Sequence, residues 1–359
     1  MVKKNYLQSK SYSHKKLYNV AVIGATGNVG REVLGILAER NFPINQIYAL
    51  ASADSSGKIV SYGLQKQLNV EDLATFDIKK ANLDIAFFCA GSQVSKNFIK
   101  KFTNNNVVVI DKSSLYRMDD DVPLIIPEVN RHEIKKYKKR HIIATPNCTV
   151  TPMLVALKPL HDLFTIKRII VTTYQSVSGT GKAAMDELFF QTKQFYEAAI
   201  TEIEKPEGKI YPKRIAFNCI PQCDAFTGKD GYTKEEMKII NETNKILNKK
   251  INITATCVRV PVFVCHAESI NVEFEKPFQI NQIYDALEEA EGVVILDRKQ
   301  DGGYATQYEF AGTDSVYVSR IRVDNSNTNT LNFWCVCDNI RKGAALNGIQ
   351  IAEELIKVL

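Results

Sequence analysis

Two side chains of this sequence could together carry out nucleophilic chemistry. Cys148 stands in Ala144-Thr-Pro146-Asn147-Cys148-Thr149-Val-Thr-Pro152, where a strand gives way to a Pro-Asn turn and a helix running to about Leu160 begins. The partial positive charge of a helix N-terminus favours the thiolate, the form of cysteine that attacks an electrophilic carbon. Pro152 suits the first turn of a helix capped by Thr151 better than a helix interior. His266 closes a β-rich run from Arg259 through Cys265 and is a candidate general acid or base. Each residue also has a plainer reading, Cys148 as a small packing residue and His266 as a structural imidazole. His14, His132, His141 and His161 have no comparable setting.

A second kind of chemistry is written near the start. Asn19–Gly24 is a nearly continuous apolar run, and Gly24-Ala-Thr26-Gly27-Asn28-Val29-Gly30 follows at once. Glycines at those positions allow a tight turn and close backbone approach, and the helix they open presents its N-terminus to a pyrophosphate. A purely structural strand-to-helix turn is the alternative. In a dinucleotide site the adenosine ribose would lie near the end of the second strand, around Ser52–Ser56. Asp54 could accept from a ribose 2′-hydroxyl, favouring NAD, whereas Ser52, Ser55 and Lys58 could hold a 2′-phosphate, favouring NADP.

The elements that must position these groups fall into two textures. Apolar runs at Asn19–Gly24, Gln46–Ala51, Leu83–Ala90, Asn106–Asp111 and His141–Thr145 alternate with helical spacing, as in a doubly wound parallel sheet. After Cys148 come longer β-rich stretches at Ile166–Val177, Ala255–Val264, Ser269–Glu275, Ser315–Val323 and Thr330–Cys337. Helical stretches at Lys182–Ile203 and Tyr232–Asn248 lie between the first two, which predicts an α+β domain with a mostly antiparallel sheet. The tail from Asp338 to Leu359 reads as a terminal amphipathic helix, and Lys205–Lys213 as a mobile loop.

Composition narrows the function classes. The 359 residues carry 46 basic against 40 acidic side chains, a balance of +6 that permits an anionic substrate without demanding nucleic acid. Hydrophobic content of 45% and charged content of 24% exclude a wholly disordered chain. Eight cysteines are too sparse for a disulfide scaffold and lack zinc-ribbon spacing, so a reduced, cytoplasmic, metal-free protein is expected. No apolar run reaches the roughly 18–20 residues of a membrane span. The first eighteen residues, with Lys3, Lys4, Lys10, Lys15 and Lys16 and no acid, read as a basic arm rather than a secretory signal.

An ordered set of strings then resembles the aspartate-semialdehyde dehydrogenase family. They are the Gly24–Gly30 loop, Ala90-Gly-Ser92, Asp111-Lys-Ser-Ser-Leu-Tyr-Arg117, Ile126-Pro-Glu-Val-Asn130, Pro146-Asn-Cys-Thr149, Tyr174-Gln-Ser-Val-Ser-Gly179, Ala216-Phe-Asn218, Glu235-Glu-Met-Lys238, Cys257-Val-Arg259, His266 and Asp338-Asn-Ile-Arg-Lys-Gly343. The resemblance implies reversible, NADP-dependent reductive dephosphorylation of L-4-aspartyl phosphate to L-aspartate 4-semialdehyde and phosphate through a cysteine thioester. That step belongs to lysine and diaminopimelate, threonine and methionine biosynthesis. By this likeness Cys148 is the nucleophile, His266 the acid/base residue and Gln175 the group that positions the acyl intermediate. Arg259 would hold the substrate carboxylate, Glu235 its ammonium, Arg117 and Lys238 the phosphate, and Asn147 lies beside the nucleophile. Thr26, Asn28 and Val29 join the loop glycines on the cofactor side, with Ser52, Ser55, Ser92, Ser178, Gly179 and Asn339.

Asp54 departs from the pattern, since many relatives place there an Arg that grips the 2′-phosphate; NAD therefore stays open beside NADP. The fold implied is a Rossmann-like domain over 1–147, a catalytic and dimerisation domain over 148–337, and a terminal helix, 338–359, packing back on the first domain. A homodimer or dimer-based tetramer goes with it, and the other seven cysteines read as packing residues. The rivals are an N-acetylglutamyl-phosphate reductase, whose active-site string differs from Pro146-Asn-Cys-Thr149, and a non-catalytic nucleotide-binding homologue.

Overall fold

The computed structural model describes residues 16–64, 66–197 and 209–359. Lys3, Lys4, Lys10 and Lys15 of the basic arm lie outside them, as do residues 198–203 of the expected helix and 205–208 of the expected loop. Contacts divide the chain into two compact units, one ending at Pro146 and resuming at Ala344, the other running from Asn147 to Gly343. Asn147 and residues 338–343 thus go with the second unit, unlike the boundaries read from sequence.

The first unit opens with β1 (Tyr18–Ile23), α1 (Asn28–Glu39) and β2 (Ile44–Ala51). It continues through β3 (Ile59–Tyr62), β4 (Lys66–Asp72), the short α2 (Ile78–Ala81), β5 (Ile85–Phe88), α3 (Ser92–Thr103), β6 (Val108–Asp111), the short α4 (Pro127–Asn130) and β7 (Ile142–Ala144). The sheet order is β3-β4-β2-β1-β5-β6-β7, parallel throughout except for the antiparallel β3–β4 pair. Central strands such as β5 are buried at every residue, as a parallel sheet covered on both faces requires. The β3–β4 hairpin escapes the apolar pattern because most of its residues are polar or exposed and it lies at the sheet edge.

Between β1 and α1 the glycine turn is built as its spacing suggests. Gly24 has φ +80°, and a Cβ on Gly30 would fall 2.1 Å from the Gly24 oxygen. Gly27 caps α1 and donates its N–H to that same oxygen at 3.0 Å.

The second unit holds α5 (Val150–Phe164), β8 (Ile166–Gln175), α6 (Lys182–Glu197), α7 (Lys234–Leu247), β9 (Asn252–Arg259), β10 (His266–Phe274), α8 (Ile280–Glu288), β11 (Val293–Ile295), β12 (Val316–Val323) and β13 (Thr330–Cys337). Its sheet runs β11-β12-β13-β10-β8-β9. Pairing is antiparallel at β8–β10, β10–β13 and β12–β13, and parallel at β8–β9 and β11–β12. Three local readings change. Thr149, not Thr151, caps α5, which puts Pro152 third in the helix, where a backbone N–H has no intrahelical acceptor. The strand expected to reach Val264 ends at Arg259, since Pro261 offers no N–H for pairing. His266 accordingly opens β10 instead of closing the preceding run.

The tail returns to the first unit as α9 (Leu346–Leu355), preceded by a π turn at Arg341–Ala345. It is buried on nearly all sides, so it is a core helix rather than an amphipathic surface one. Arg40 grips Glu353 through Nε at 2.7 Å and Nη2 at 2.8 Å, tying α9 to the end of α1. Replacing Gly30 with Ala should destabilise the first unit by about 1–3 kcal/mol, because the new methyl group has no space. Urea unfolding of the variant checks this; an unchanged midpoint would show that the turn tolerates a side chain.

Candidate active site

The second sheet brings four side chains into one row. Gln175, the last residue of β8, pairs with Arg259, the last of β9, and with His266, the first of β10. His266 pairs in turn with Cys337, the last of β13. Directly paired residues point to the same face, so the row Arg259–Gln175–His266–Cys337 crosses one end of the sheet on its covered side. All four are buried.

Cys148, immediately ahead of the α5 cap, places Sγ 3.3 Å from Nε2 of His266. The other ring nitrogen, Nδ1, accepts the backbone N–H of Ser176 at 3.1 Å, with the Ser176 hydroxyl at 3.2 Å. A backbone N–H can only donate, so the neutral ring carries its proton on Nε2, facing the sulfur. Burial, then the nearby Arg259 charge, push the imidazole down to about 3, which keeps it neutral near pH 7. Two glycines crowd this pair. A Cβ on Gly179 would lie 3.2 Å from Arg259 Nη1 and 3.3 Å from the His266 ring, and one on Gly343 would lie 3.1 Å from Cys148 Cβ.

Behind the row lies a buried polar network centred on Glu235. Its Oε1 accepts from Asn147 Nδ2 at 2.9 Å and from Gln175 Nε2 at 3.3 Å, and its Oε2 accepts from Lys238 Nζ at 3.1 Å. Burial alone would raise its pKa; Lys238, Asn147 and Arg259 outweigh that and hold it below the ordinary value. Lys238 also reaches Asp224 at 2.9 Å, and the two acids, against the burial penalty, hold its pKa above the ordinary lysine value. The neighbouring Glu236 is separately engaged, closing a capping box with Thr233 and accepting the Cys257 N–H at 3.0 Å. Asn147 is fixed by Glu242, which accepts its backbone N–H at 2.7 Å. Arg259 donates Nη1 to the Ser176 carbonyl at 2.6 Å. Asn339 Oδ1 accepts from the hydroxyls of Ser176 and Ser178, both at 3.2 Å.

The remaining candidates sit in the first unit. Gly24, Thr26, Gly27, Asn28, Val29 and Gly30 form the turn and the first residues of α1. Ser52 caps a short turn that holds Asp54 and Ser55, and Lys58 Nζ donates to Ser55 Oγ at 3.3 Å. Ser92 begins α3 and contacts Ser114 Oγ at 3.3 Å. Arg117, buried, donates Nη2 to the Lys112 carbonyl at 2.9 Å.

Four contributors have no signature in the sequence: Ser176 on the imidazole, Glu242 on Asn147, Asp224 on Lys238, and Gly343 against Cys148. All act across long chain separations, although Ser176 and Gly343 fall inside the strings noted above. All eight cysteines are free thiols. Burial pushes Cys89 and Cys223 up to about 12, and Cys257, Cys265, Cys335 and Cys337 also upward. Cys219 is exposed, so it is not the packing residue expected. Among the described residues no cluster of three or more metal-ligating side chains forms, and no helix is long and apolar enough to cross a membrane.

A glycine-turn parallel sheet in one unit and a half-buried cysteine against a buried histidine in the other have the build of an oxidoreductase acting on an aldehyde group. Family models agree: residues 19–137 match the semialdehyde dehydrogenase NAD binding domain, and residues 157–342 the semialdehyde dehydrogenase dimerisation domain. The chain is 53% identical over 341 residues to an aspartate-semialdehyde dehydrogenase of Rickettsia conorii, covering 95% of this chain and 98% of that one. It is 46% identical to that of Aquifex aeolicus over the same span and with the same coverage. The solved aspartate semialdehyde dehydrogenase II of Vibrio cholerae, described as complexed with ASA, superposes with a TM-score of 0.89 at 44% identity, covering 95% of this chain and 99% of that one. The chain belongs to the aspartate-semialdehyde dehydrogenase family. Neither the reductase nor the non-catalytic alternative is favoured.

One more buried group shares the face of the reactive row. Glu268, two residues along β10 from His266, pairs with Thr173 and Cys335, and neither of its carboxyl oxygens has a hydrogen-bond partner. Burial pushes its carboxyl well above the ordinary 4.5, so the folded protein keeps it neutral. The folded state then retains a proton that the unfolded chain releases, and stability falls as pH rises above the unfolded value. Glu268→Gln cannot titrate. Its stability relative to the native chain should therefore grow with pH, by up to about 1.4 kcal/mol per unit. Denaturant titrations from pH 5 to 8 check this; a constant difference would mean the carboxyl is ionised in the fold.

Proposed function

We propose that Cys148 and His266 carry the family's reaction, the NADP-dependent interconversion of aspartyl phosphate with aspartate semialdehyde and phosphate. The observation that carries this reading is the 3.3 Å approach of Cys148 Sγ to the protonated nitrogen of a neutral, buried imidazole. His266 Nε2–H stabilises the thiolate. Cys148 attacks the acyl carbon of the substrate; the carbon–oxygen bond to phosphate breaks, phosphate departs with the electron pair, and an acyl thioester remains on Cys148. The nicotinamide group, when bound, supplies the hydride that this thioester needs. His266 holds at Nε2 the proton that faces the developing oxyanion. Collapse of the Cys148 hemithioacetal frees the aldehyde and regenerates the thiolate.

Arg259 presents a planar guanidinium suited to the substrate α-carboxylate. Glu235 offers a carboxylate for the ammonium, and its bonds to Asn147 and Gln175 fix both amides. Arg117 and Lys238 are the cations assigned to phosphate. The cofactor fits the first unit on an observation of the turn itself: Gly24 at φ +80° and Gly30 packed against the Gly24 carbonyl let β1 turn tightly into α1, which leaves the backbone N–H groups of the α1 N-terminus at the turn to meet a pyrophosphate. Thr26, Gly27, Asn28 and Val29 belong to the same cradle, and Ser92 starts α3, a second helix N-terminus. Ser178, Gly179 and Asn339 are assigned to the nicotinamide side. Ser52, Ser55 and Lys58 supply hydroxyls and an ammonium for a 2′-phosphate, with the exposed Asp54 opposing them. A homodimer is supported by the dimerisation-domain match, and a reducing cytoplasm goes with this reading.

The test is phosphate-dependent reduction of NADP by aspartate semialdehyde. Cys148→Ala should lower kcat by roughly 10⁴-fold or more while cofactor binding, followed by fluorescence, stays unchanged. Full turnover in that variant would remove Cys148 as the nucleophile. Measuring kcat/KM with both cofactors settles the ribose side: Asp54→Ala should shift preference toward NADP, and a strong NAD preference in the native chain would overturn the NADP assignment.

A further inference from the structure

Cys265, next to His266, adopts a conformation that side chains resist. Its φ is +74°, in the left-handed region where a Cβ meets the neighbouring carbonyl. Both polar groups of the residue are held. Its N–H donates to Asn339 Oδ1 at 3.0 Å, and its carbonyl accepts from Gln307 Nε2 at 2.7 Å. The second hydrogen of the same Gln307 amide goes to the Tyr174 carbonyl at 3.0 Å. Tyr174 precedes Gln175 at the end of β8, and Cys265 precedes His266 at the start of β10. One side-chain amide therefore joins the two peptides that aim two members of the reactive row.

Gln307 is well placed to do this without being needed for its own loop. Ala305 N–H donates to Ser319 Oγ at 2.9 Å, and Trp334 Nε1 donates to the Ala305 carbonyl at 3.1 Å. Ala305 also packs with Ala267, Val336 and Tyr174 on the sheet face opposite the reactive row. The loop is thus anchored on one face, while Gln307 reaches the strand ends. Rotation of the Cys265–His266 peptide would carry the imidazole with it, away from Cys148 and from the Ser176 N–H. A left-handed cysteine relaxes toward ordinary φ unless such contacts oppose it.

We propose that Gln307 is a positioning residue: acting through the strained Cys265 peptide, its amide sets the His266 imidazole against Cys148 and in line with Gln175. The role rests on Cys148 and His266 being the reacting pair. Gln307→Leu keeps the bulk and loses both donors. It should lower kcat by about 10–100-fold, with KM for semialdehyde and cofactor changed by less than about threefold, as expected when the reacting groups are misplaced but binding is not. Alkylation of Cys148 by iodoacetamide at pH 7 should slow in parallel. Glycine adopts the left-handed conformation freely, so adding Cys265→Gly to Gln307→Leu should recover about tenfold or more of a hundredfold loss. Gln307→Asn, whose amide falls one methylene short, carries the same expectation should the leucine variant not fold.

Turnover of Gln307→Leu within twofold of the native enzyme would overturn the proposal. So would a loss that Cys265→Gly leaves untouched, since the effect would then not pass through the strained peptide. Cys148→Ala is assayed alongside: an active Cys148→Ala enzyme refutes the reacting pair itself, whereas an inactive one beside a fully active Gln307→Leu refutes only the role of Gln307.

Discussion

The pairing of Gln175 with Arg259 on one side and His266 on the other is the constraint from which the second unit's chemistry follows. Because β8 is parallel to β9 and antiparallel to β10, two strand ends and one strand start coincide at a single edge of the sheet. An all-antiparallel order would put β9 the other way round and send Arg259 to the far end. The alternation of strand faces makes the register unforgiving: a slip of one residue would turn Gln175, His266 or Arg259 to the opposite side. Below the reactive row, Thr173, Glu268 and Cys335 form a second buried row, and Val171, Ile270 and Phe333 a third. The apolar third row is what holds the register, and the polar rows above it are carried along.

Burying so much polarity has an electrostatic cost that the site distributes. Glu235, Lys238 and Asp224 form a chain of alternating charge, and each shift in pKa favours the charged form despite burial. His266 and Glu268 take the other course and stay neutral. A neutral His266 beside Arg259 avoids placing two cations together in a poorly hydrated space. The consequence for chemistry is that the ring's proton belongs on Nε2, because Ser176 occupies Nδ1 as a donor. Buried pairs of this kind seldom add to stability; here their placement orients Asn147 and Gln175, whose amides both end on Glu235.

Local pattern singled out the glycine turn, Cys148 and His266, and the family likeness added Gln175, Arg259, Glu235 and Lys238; neither says how these side chains are held. The glycine turn, the thiol ahead of α5 and the apolar β1, β5 and β6 each have a signature a few residues long. The β3–β4 hairpin and β11 do not, since edge strands with half-exposed residues lose the apolar contrast. The end of β9 could have been read from Pro261, but the continuing valines and phenylalanine outweigh it in any apolar count. Glu235 and Glu236 are adjacent and chemically identical; only the capping box and the Cys257 N–H assign Glu236 to structure and leave Glu235 facing Asn147 and Gln175. Asp224 on Lys238 and Gln307 on two strand ends are contacts between loops and elements, which leave no periodic trace.

Among eight thiols, partial exposure and a histidine neighbour together set apart Cys148, the proposed nucleophile. Six are pushed toward the protonated form by their surroundings, and Cys219 stands exposed in a loop. Cys148 alone combines partial exposure with a ring N–H at 3.3 Å. That exposure depends on what is missing around it. Gly343 lies against Cys148, and Gly179 against both Arg259 and His266, so a methyl group at either would press on those residues. Cys265 shows the opposite choice at the neighbouring position: a Cβ is kept where glycine would rest more easily, and strain is accepted in the peptide that aims His266. A site assembled this way gains its order from contacts around the strand ends, and the small residues keep those contacts from closing over the sulfur.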